Sequence, residues 1–143
     1  MINDEHYFNK YKGALEDFET YLEKLNLYST EAIDEYSVPT STFWLINDKD
    51  VVGVVRIRHK EIGSAGHIGY DISPNYRNRG FGTSILKLAL VEAERIGITE
   101  AVLTCNINNT YSRKVIEKNN GNFLGTIYDP EDDEYLYRYS ITL

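Results

Sequence analysis

Cysteine, tryptophan and methionine each occur once in the 143 residues, and proline three times. A lone thiol, Cys105, cannot close an internal disulfide, so the fold must rest on burial and hydrogen bonding, which fits a reducing, cytoplasmic setting. No apolar run approaches the roughly 18 residues that read as a membrane-spanning helix, and no membrane partner is expected. The opening Met1-Ile2-Asn3-Asp4-Glu5 is acidic and has no apolar signal core. Positive charge is also scarce. Fifteen Lys and Arg face 22 Asp and Glu, for a net charge of -7. A nucleic-acid-binding domain usually shows a basic face, so no nucleic acid partner is expected. The few histidines, His6, His59 and His67, make no zinc-like spacing with Cys105, and no metal is expected. Repeats, low-complexity tracts and long linkers are missing, so residues 1–143 read as a single domain, with 42% hydrophobic residues to build its core.

The most informative stretch runs from His67 to Ile96. Ile68, Tyr70 and Ile72 alternate with His67, Gly69 and Asp71, a period of two that predicts a strand. Pro74 ends it, having no amide hydrogen for a ladder. From Thr83 to Ile96 the apolar residues Ile85, Leu86, Leu88, Ala89, Ala93 and Ile96 recur at helical spacing, and Gly97 stops the helix. Between them lies Asn75-Tyr76-Arg77-Asn78-Arg79-Gly80-Phe81-Gly82, basic and punctuated by glycine. Its glycines allow a tight turn and close approach of a ligand. The amides of Gly80 to Ser84 fall at a helix N-terminus, which binds phosphate. Arg77 and Arg79 add charge beside it. The loop lacks the Lys of a Walker motif and the third glycine of a dinucleotide fingerprint.

The rest of the chain alternates simple elements. Phe8, Tyr11, Leu15, Phe18, Leu22 and Leu25 place one apolar face on helices between Asp4 and Tyr28, with a break expected near Lys12-Gly13. Ser29 to Thr40 reads as a loop with a turn of helix around Glu31 to Glu35. Thr42 to Ile46 and Val51 to Arg58 predict a hairpin, in which Gly53 marks a bulge or a close backbone approach. Arg56 and Arg58 share a face, read as solvated by default, and His59 to Gly66 as a flexible connection. Ala101 to Asn106 predicts a strand buried on both sides, with Cys105 a small core residue. Asn108 or Asn109 caps the next helix. Asn122 to Tyr128 and Glu134 to Thr142 form a last hairpin around an acidic, solvated turn, with Tyr135, Tyr137 and Tyr139 on one face.

Arg77-x-x-Gly80-x-Gly82, set after a strand and before an amphipathic helix, resembles the coenzyme-A-binding motif of the GCN5-related N-acetyltransferases (GNAT). The similarity extends over essentially the whole chain. It implies an α/β (α+β) fold: a mixed, mostly antiparallel sheet with a central splayed parallel strand pair and helices on both faces. The family's first edge strand is missing here; either it is absent or another subunit supplies it, and with the tyrosine-rich last strands this favours a homodimer. The resemblance implies acetyl-CoA as the acetyl-donor co-substrate and direct transfer, in a ternary complex, to a primary amine of a small molecule or peptide. An acyl-CoA-binding regulatory module is the alternative. The acidic surface either attracts a cationic amine or only keeps the protein in solution.

By the same resemblance, Tyr70, Asp71 and Ile72 line the pantetheine arm, and Arg77, Asn78, Arg79, Gly80, Phe81, Gly82 and Thr83 hold the pyrophosphate. Asn109 and Ser112 match the family's Asn-x-x-Ser/Ala segment. The family's acid, a Tyr four residues on, is Ile116 here, so either another tyrosine serves or the coenzyme leaves as thiolate. His67 stands where the family often places its base, with Asp71 and Glu61 as weaker candidates.

Overall fold

The computed structural model describes residues 10–30 and 38–143. Among them are the helices α1 (Lys12–Glu16), α2 (Phe18–Thr30), α3 (Phe81–Arg95) and α4 (Thr110–Lys118). The strands are β1 (Thr40–Asn47), β2 (Asp50–Ile62), β3 (Gly66–Ile72), β4 (Glu100–Asn106), β5 (Asn122–Asp129) and β6 (Glu134–Thr142). The turn of helix expected around Glu31 to Glu35 and the question of a first edge strand lie outside the described residues.

The strands form two antiparallel sheets, ordered β1-β2-β3 and β4-β6-β5. β3 and β4 lie side by side without a ladder. At one end they touch: an added Cβ on Gly66 would stand 2.5 Å from the Val102 carbonyl oxygen, and the Val102 amide donates to His67 Nδ1 at 3.0 Å. Further along both strands a cleft opens between Gly69–Asp71 and Thr104–Asn106. Residue numbers rise together toward the open end, so the pair is parallel and splayed.

Each sheet buries one apolar face. Ile57 and Val55 of β2, Ile68 and Ile72 of β3, and Leu103 of β4 pack against Ile85, Leu86, Ala89 and Ala93 of α3. Period two meets period 3.6 across this layer, which is why both patterns were readable. Gly53 combines both sequence readings. The β1–β2 register shifts opposite it, and an added Cβ would stand 2.8 Å from Ile72 Cδ1 and 3.0 Å from the Asp71 carbonyl oxygen. On the other side of the first sheet, Trp44 of β1 stacks with Phe18 and Tyr21 of α2 at centroid distances of 5.3 and 6.4 Å.

Two sequence readings need correction, and a third gains detail. The helical region has a turn at Tyr11, beside the expected break, but it divides again at Asp17, whose carboxylate caps α2 by accepting from the Thr20 amide at 3.1 Å. His59 to Ile62 is strand, not flexible connection; only Gly63–Ala65 turns, as a 3-10 helix. The tyrosine face of β6 is graded: Tyr139 is buried, Tyr137 half-buried and Tyr135 exposed.

Gly66 carries the closed end of the splay, with φ +65 beside the Val102 carbonyl. A side chain there costs about 1–2 kcal/mol for the left-handed backbone alone. Gly66→Ala is therefore expected to lower unfolding free energy by at least about 2 kcal/mol, once the collision is added, in urea titration.

Candidate active site

The open end of the splay is a cleft of about 460 Å³ that reaches from β2 to the β5–β6 turn. One wall carries Lys10, Arg56, Arg58 and Asp71; the facing wall carries Asp129, Glu131, Asp132 and Glu134. Tyr70, Cys105, Asn109 and Ser112 line its floor. Tyr70, Asp71, Asn109 and Ser112 also line a narrower pocket of about 50 Å³ with Ile72, Arg77 and Tyr111, on the side of α3 and α4. The opening between β3 and β4 is thus flanked by hollows on both faces, and Tyr70 and Ser112 stand between them. Their hydroxyls are 2.9 Å apart. Burial pushes the Tyr70 phenol far up, with the Ser112 hydrogen bond opposing, so Tyr70 stays protonated.

Asp71 organises the basic wall. Its Oδ2 accepts from Lys10 Nζ at 2.7 Å, Tyr11 Oη at 2.6 Å and Arg56 Nη2 at 2.9 Å. Burial alone would raise this carboxyl, but those donors outweigh it and hold it down at about 2. A carboxylate so held is a poor base at neutral pH. Glu61, the other weak candidate, pairs with Arg138. Arg56 and Arg58 therefore do not make a solvated face; they line the cleft.

Beyond the C-terminal end of β3, Gly80 caps α3 in the left-handed region, with φ 84 and no side-chain cap. Ser84 N donates to Gly80 O at 3.2 Å, so the amides of Phe81, Gly82 and Thr83 have no acceptor within the helix. Asn78, Arg79 and Gly80 are exposed. The Arg79 guanidinium lies over the rings of Tyr76 and Phe81 at 5.3 and 5.5 Å. Arg77 turns inward, its Nε donating to the Ile72 carbonyl at 3.0 Å, so it braces the end of β3. Gly82 is buried under Tyr111; an added Cβ would stand 2.7 Å from Tyr111 Oη. The Thr83 carbonyl accepts from Asn119 Nδ2 at 3.3 Å and so ties α3 to α4. Uncapped amides beside an exposed guanidinium fit a diphosphate.

Asn109 caps α4 by accepting from Ser112 N at 3.0 Å. It also lines both hollows, so capping and contact with a ligand coexist. His67 is not brought to this set. It sits at the closed end of the splay, where Nδ1 accepts from the Val102 amide and the ring lines a separate depression with His59, Glu61 and Thr99. Burial lowers its pKa, with nearby Arg58 acting in the same direction against Glu61. Accepting at Nδ1 fixes a neutral ring protonated at Nε2.

Sequence reasoning missed the acidic wall. Asp129 is buried, not solvated; its Oδ2 accepts from Ser64 Oγ at 2.8 Å. Asp129, Asp132 and Glu134 bring ligand atoms within 4.8 Å of one another, a spacing that suits a cation. The signal was there in five acids across one hairpin connection. Only the fold shows that this connection borders the cleft.

An acetyltransferase (GNAT) domain model matches residues 1–121. The chain belongs to the GNAT acetyltransferases. No curated protein matches it. Among solved structures, it is similar to the Salmonella typhimurium acetyl transferase that modifies the N-terminal serine of 50S ribosomal subunit protein L7/L12. That likeness has 16% identity and TM-score 0.70, over 99% of this chain and 91% of that one. RimL, a ribosomal L7/L12 alpha-N-protein acetyltransferase in complex with coenzyme A, matches at 20% identity and TM-score 0.61. That match covers 73% of this chain, which spans 62% of that one. The Vibrio cholerae spermidine N-acetyltransferase SpeG, as its F149A mutant, matches at 17% identity and TM-score 0.65, over 89% and 76%. At these identities the neighbours show the fold.

Two outcomes test this geometry. Asp71 has a folded pKa below its ordinary value of 3.8, so its stabilisation is complete above about pH 4 and is lost as pH falls toward about 2. Asp71→Asn is expected to lose about 2 kcal/mol at neutral pH and to flatten that acid limb in urea titrations at stepped pH. His67→Ala is expected to lower stability by about 1–2 kcal/mol while amine acetylation, followed by thiol release, stays within about twofold of the wild type.

Proposed function

We propose that the protein is an acetyl-CoA-dependent N-acetyltransferase that moves the acetyl group directly to a primary amine within a ternary complex. The observation that carries this reading is the gap between β3 and β4. The narrow pocket on the helix side and the charged cleft on the other share Tyr70, Asp71, Asn109 and Ser112.

The residues fit the coenzyme. The amides of Phe81, Gly82 and Thr83, with Arg79, would hold its diphosphate. The unpaired edge of β3 around Tyr70 to Ile72 would bind the pantetheine amides as an added strand, between Asn109 and Ser112. When bound, acetyl-CoA supplies an acetyl group activated as a thioester. An incoming ammonium must shed a proton before its nitrogen has a lone pair, and the carboxylates of the acidic wall accept it. Backbone N–H groups on the open edge of β3 meet the negative charge that develops on the carbonyl oxygen. The Ser112–Tyr70 hydroxyl pair stands midway, where it would donate a hydrogen bond to the departing thiolate, which leaves ionised and takes up the proton shed by the amine from solvent. This replaces the family's tyrosine, whose position is the buried Ile116. Direct transfer is favoured over a covalent enzyme intermediate because Cys105, the one thiol on the floor, is pushed up to about 11 by burial.

Calorimetry with acetyl-CoA, and thiol release across peptide N-termini, polyamines and aminoglycosides, test the reading. The wild type is expected to bind, and Gly82→Asp, which drives a charged side chain into Tyr111 at the diphosphate seat, to bind at least about tenfold more weakly. Ser112→Ala is expected to lower kcat about a hundredfold with acetyl-CoA binding kept. Binding without thiol release for any amine would leave an acyl-CoA-binding module, the reading that Ile116 favours. No binding would overturn both.

A further inference from the structure

We propose that the acceptor is an amine that carries its own anionic group, a carboxylate or a phosphate, which seats on Arg58 while the amino end faces the acidic β5–β6 turn. This rests on reading the charged cleft as the acceptor side of an acetyltransferase.

The basic wall holds more positive charge than its own residues neutralise. Among the described residues, Lys10, Arg56 and Arg58 line it, and Asp71 is its only carboxylate. Asp71 is taken by Lys10 and Arg56, at 2.7 and 2.9 Å. Three cations against one anion leave a surplus of two. Arg58 is where that surplus is unsatisfied. Its Nη1 is buried and has no hydrogen-bond partner among the described residues. The guanidinium lies beside Gly69, where an added Cβ would stand 3.7 and 3.8 Å from its two terminal nitrogens. Burial and the charge of Arg56 both lower its pKa, and no carboxylate offsets them. An unpaired buried donor of this kind costs stability in the unliganded protein. A bidentate anion would satisfy it.

Across the cleft the sign reverses. Asp129, Glu131, Asp132 and Glu134 line that side, and every Lys and Arg of the cleft lies on the basic wall. The floor between the walls carries Ser112 and Tyr70. An acceptor with both charges is aligned by both walls, with its nitrogen on the side where carboxylates remove a proton. A polyamine would leave Arg58 unpaired and bring further positive charge to three cations.

The test is calorimetric titration of the full chain, alone and saturated with coenzyme A. The probes are β-alanine and γ-aminobutyrate, their amides, phosphoethanolamine, and spermidine. An amino carboxylate or amino phosphate is expected to bind at least about tenfold tighter than the uncharged partner, and Arg58→Gln to abolish that difference without lowering the thermal midpoint of the unliganded protein. The carboxylate and phosphate arms tell which anion fits. Equal binding of acid and amide, tightest binding of spermidine, equal weakening of both by Arg58→Gln, or no binding of any amino acid or phosphate would each overturn the proposal. Arg58-dependent binding without acetyl transfer would sink the transferase reading and, with it, the word acceptor, leaving Arg58 as the anion seat of a binding site. Acetylation confined to spermidine would do the reverse.

Discussion

Two parallel strands that start together and then part are the constraint on which the rest of this molecule depends. A parallel pair flanking a crossover helix would ordinarily zip along its length. Here contact is confined to the base, where Gly66 lies against the Val102 carbonyl and His67 accepts from the Val102 amide. Beyond that point the edge of β3 has no ladder partner in β4. Unsatisfied backbone groups in a protein interior are costly unless something pairs with them. An extended arm with its own amides would pair with them.

The two faces of the gap have different chemistry because different elements cover them. On the helix side, α3 begins with uncapped amides, and Gly80 in the left-handed region turns the chain into it. On the other side, Lys10 and Tyr11, just before α1, meet β2 and β3 through the Asp71 cluster, and the β5–β6 turn supplies carboxylates. Asp71 is occupied by three donors, so it positions the basic wall and is held ionised. Burial keeps the Cys105 thiol protonated.

The neighbours among solved structures include proteins described as acting on a ribosomal-protein terminus and on spermidine. They share one scaffold with this chain. Here the helix side of the gap is built from backbone amides and one helix terminus, whereas the opposite face is built from side chains before α1, on β2 and β3, and in a hairpin turn.

The periods of two and 3.6, the glycine-punctuated basic loop and the turn residues are local properties, so the strand and helix series, the glycine turn into α3 and a cap at Asn108 or Asn109 are legible from residue order, and the fold selects Asn109. A strand's two faces are also legible, which is why Tyr70 was placed apart from Asp71. What spatial neighbours do was not. Arg56 and Arg58 read as solvated, but Tyr11 lies against the first and Gly69 of β3 beside the second, and the acids from Asp129 to Glu134 read as a surface turn until that turn met Ser64. Arg77 is also tied through its Nε to the Ile72 carbonyl, a contact that residue order does not reveal. Charge in a sequence has a sign but no partner. Partners are assigned when residues far apart in the chain are packed side by side, and here that packing made one cleft with a positive and a negative wall.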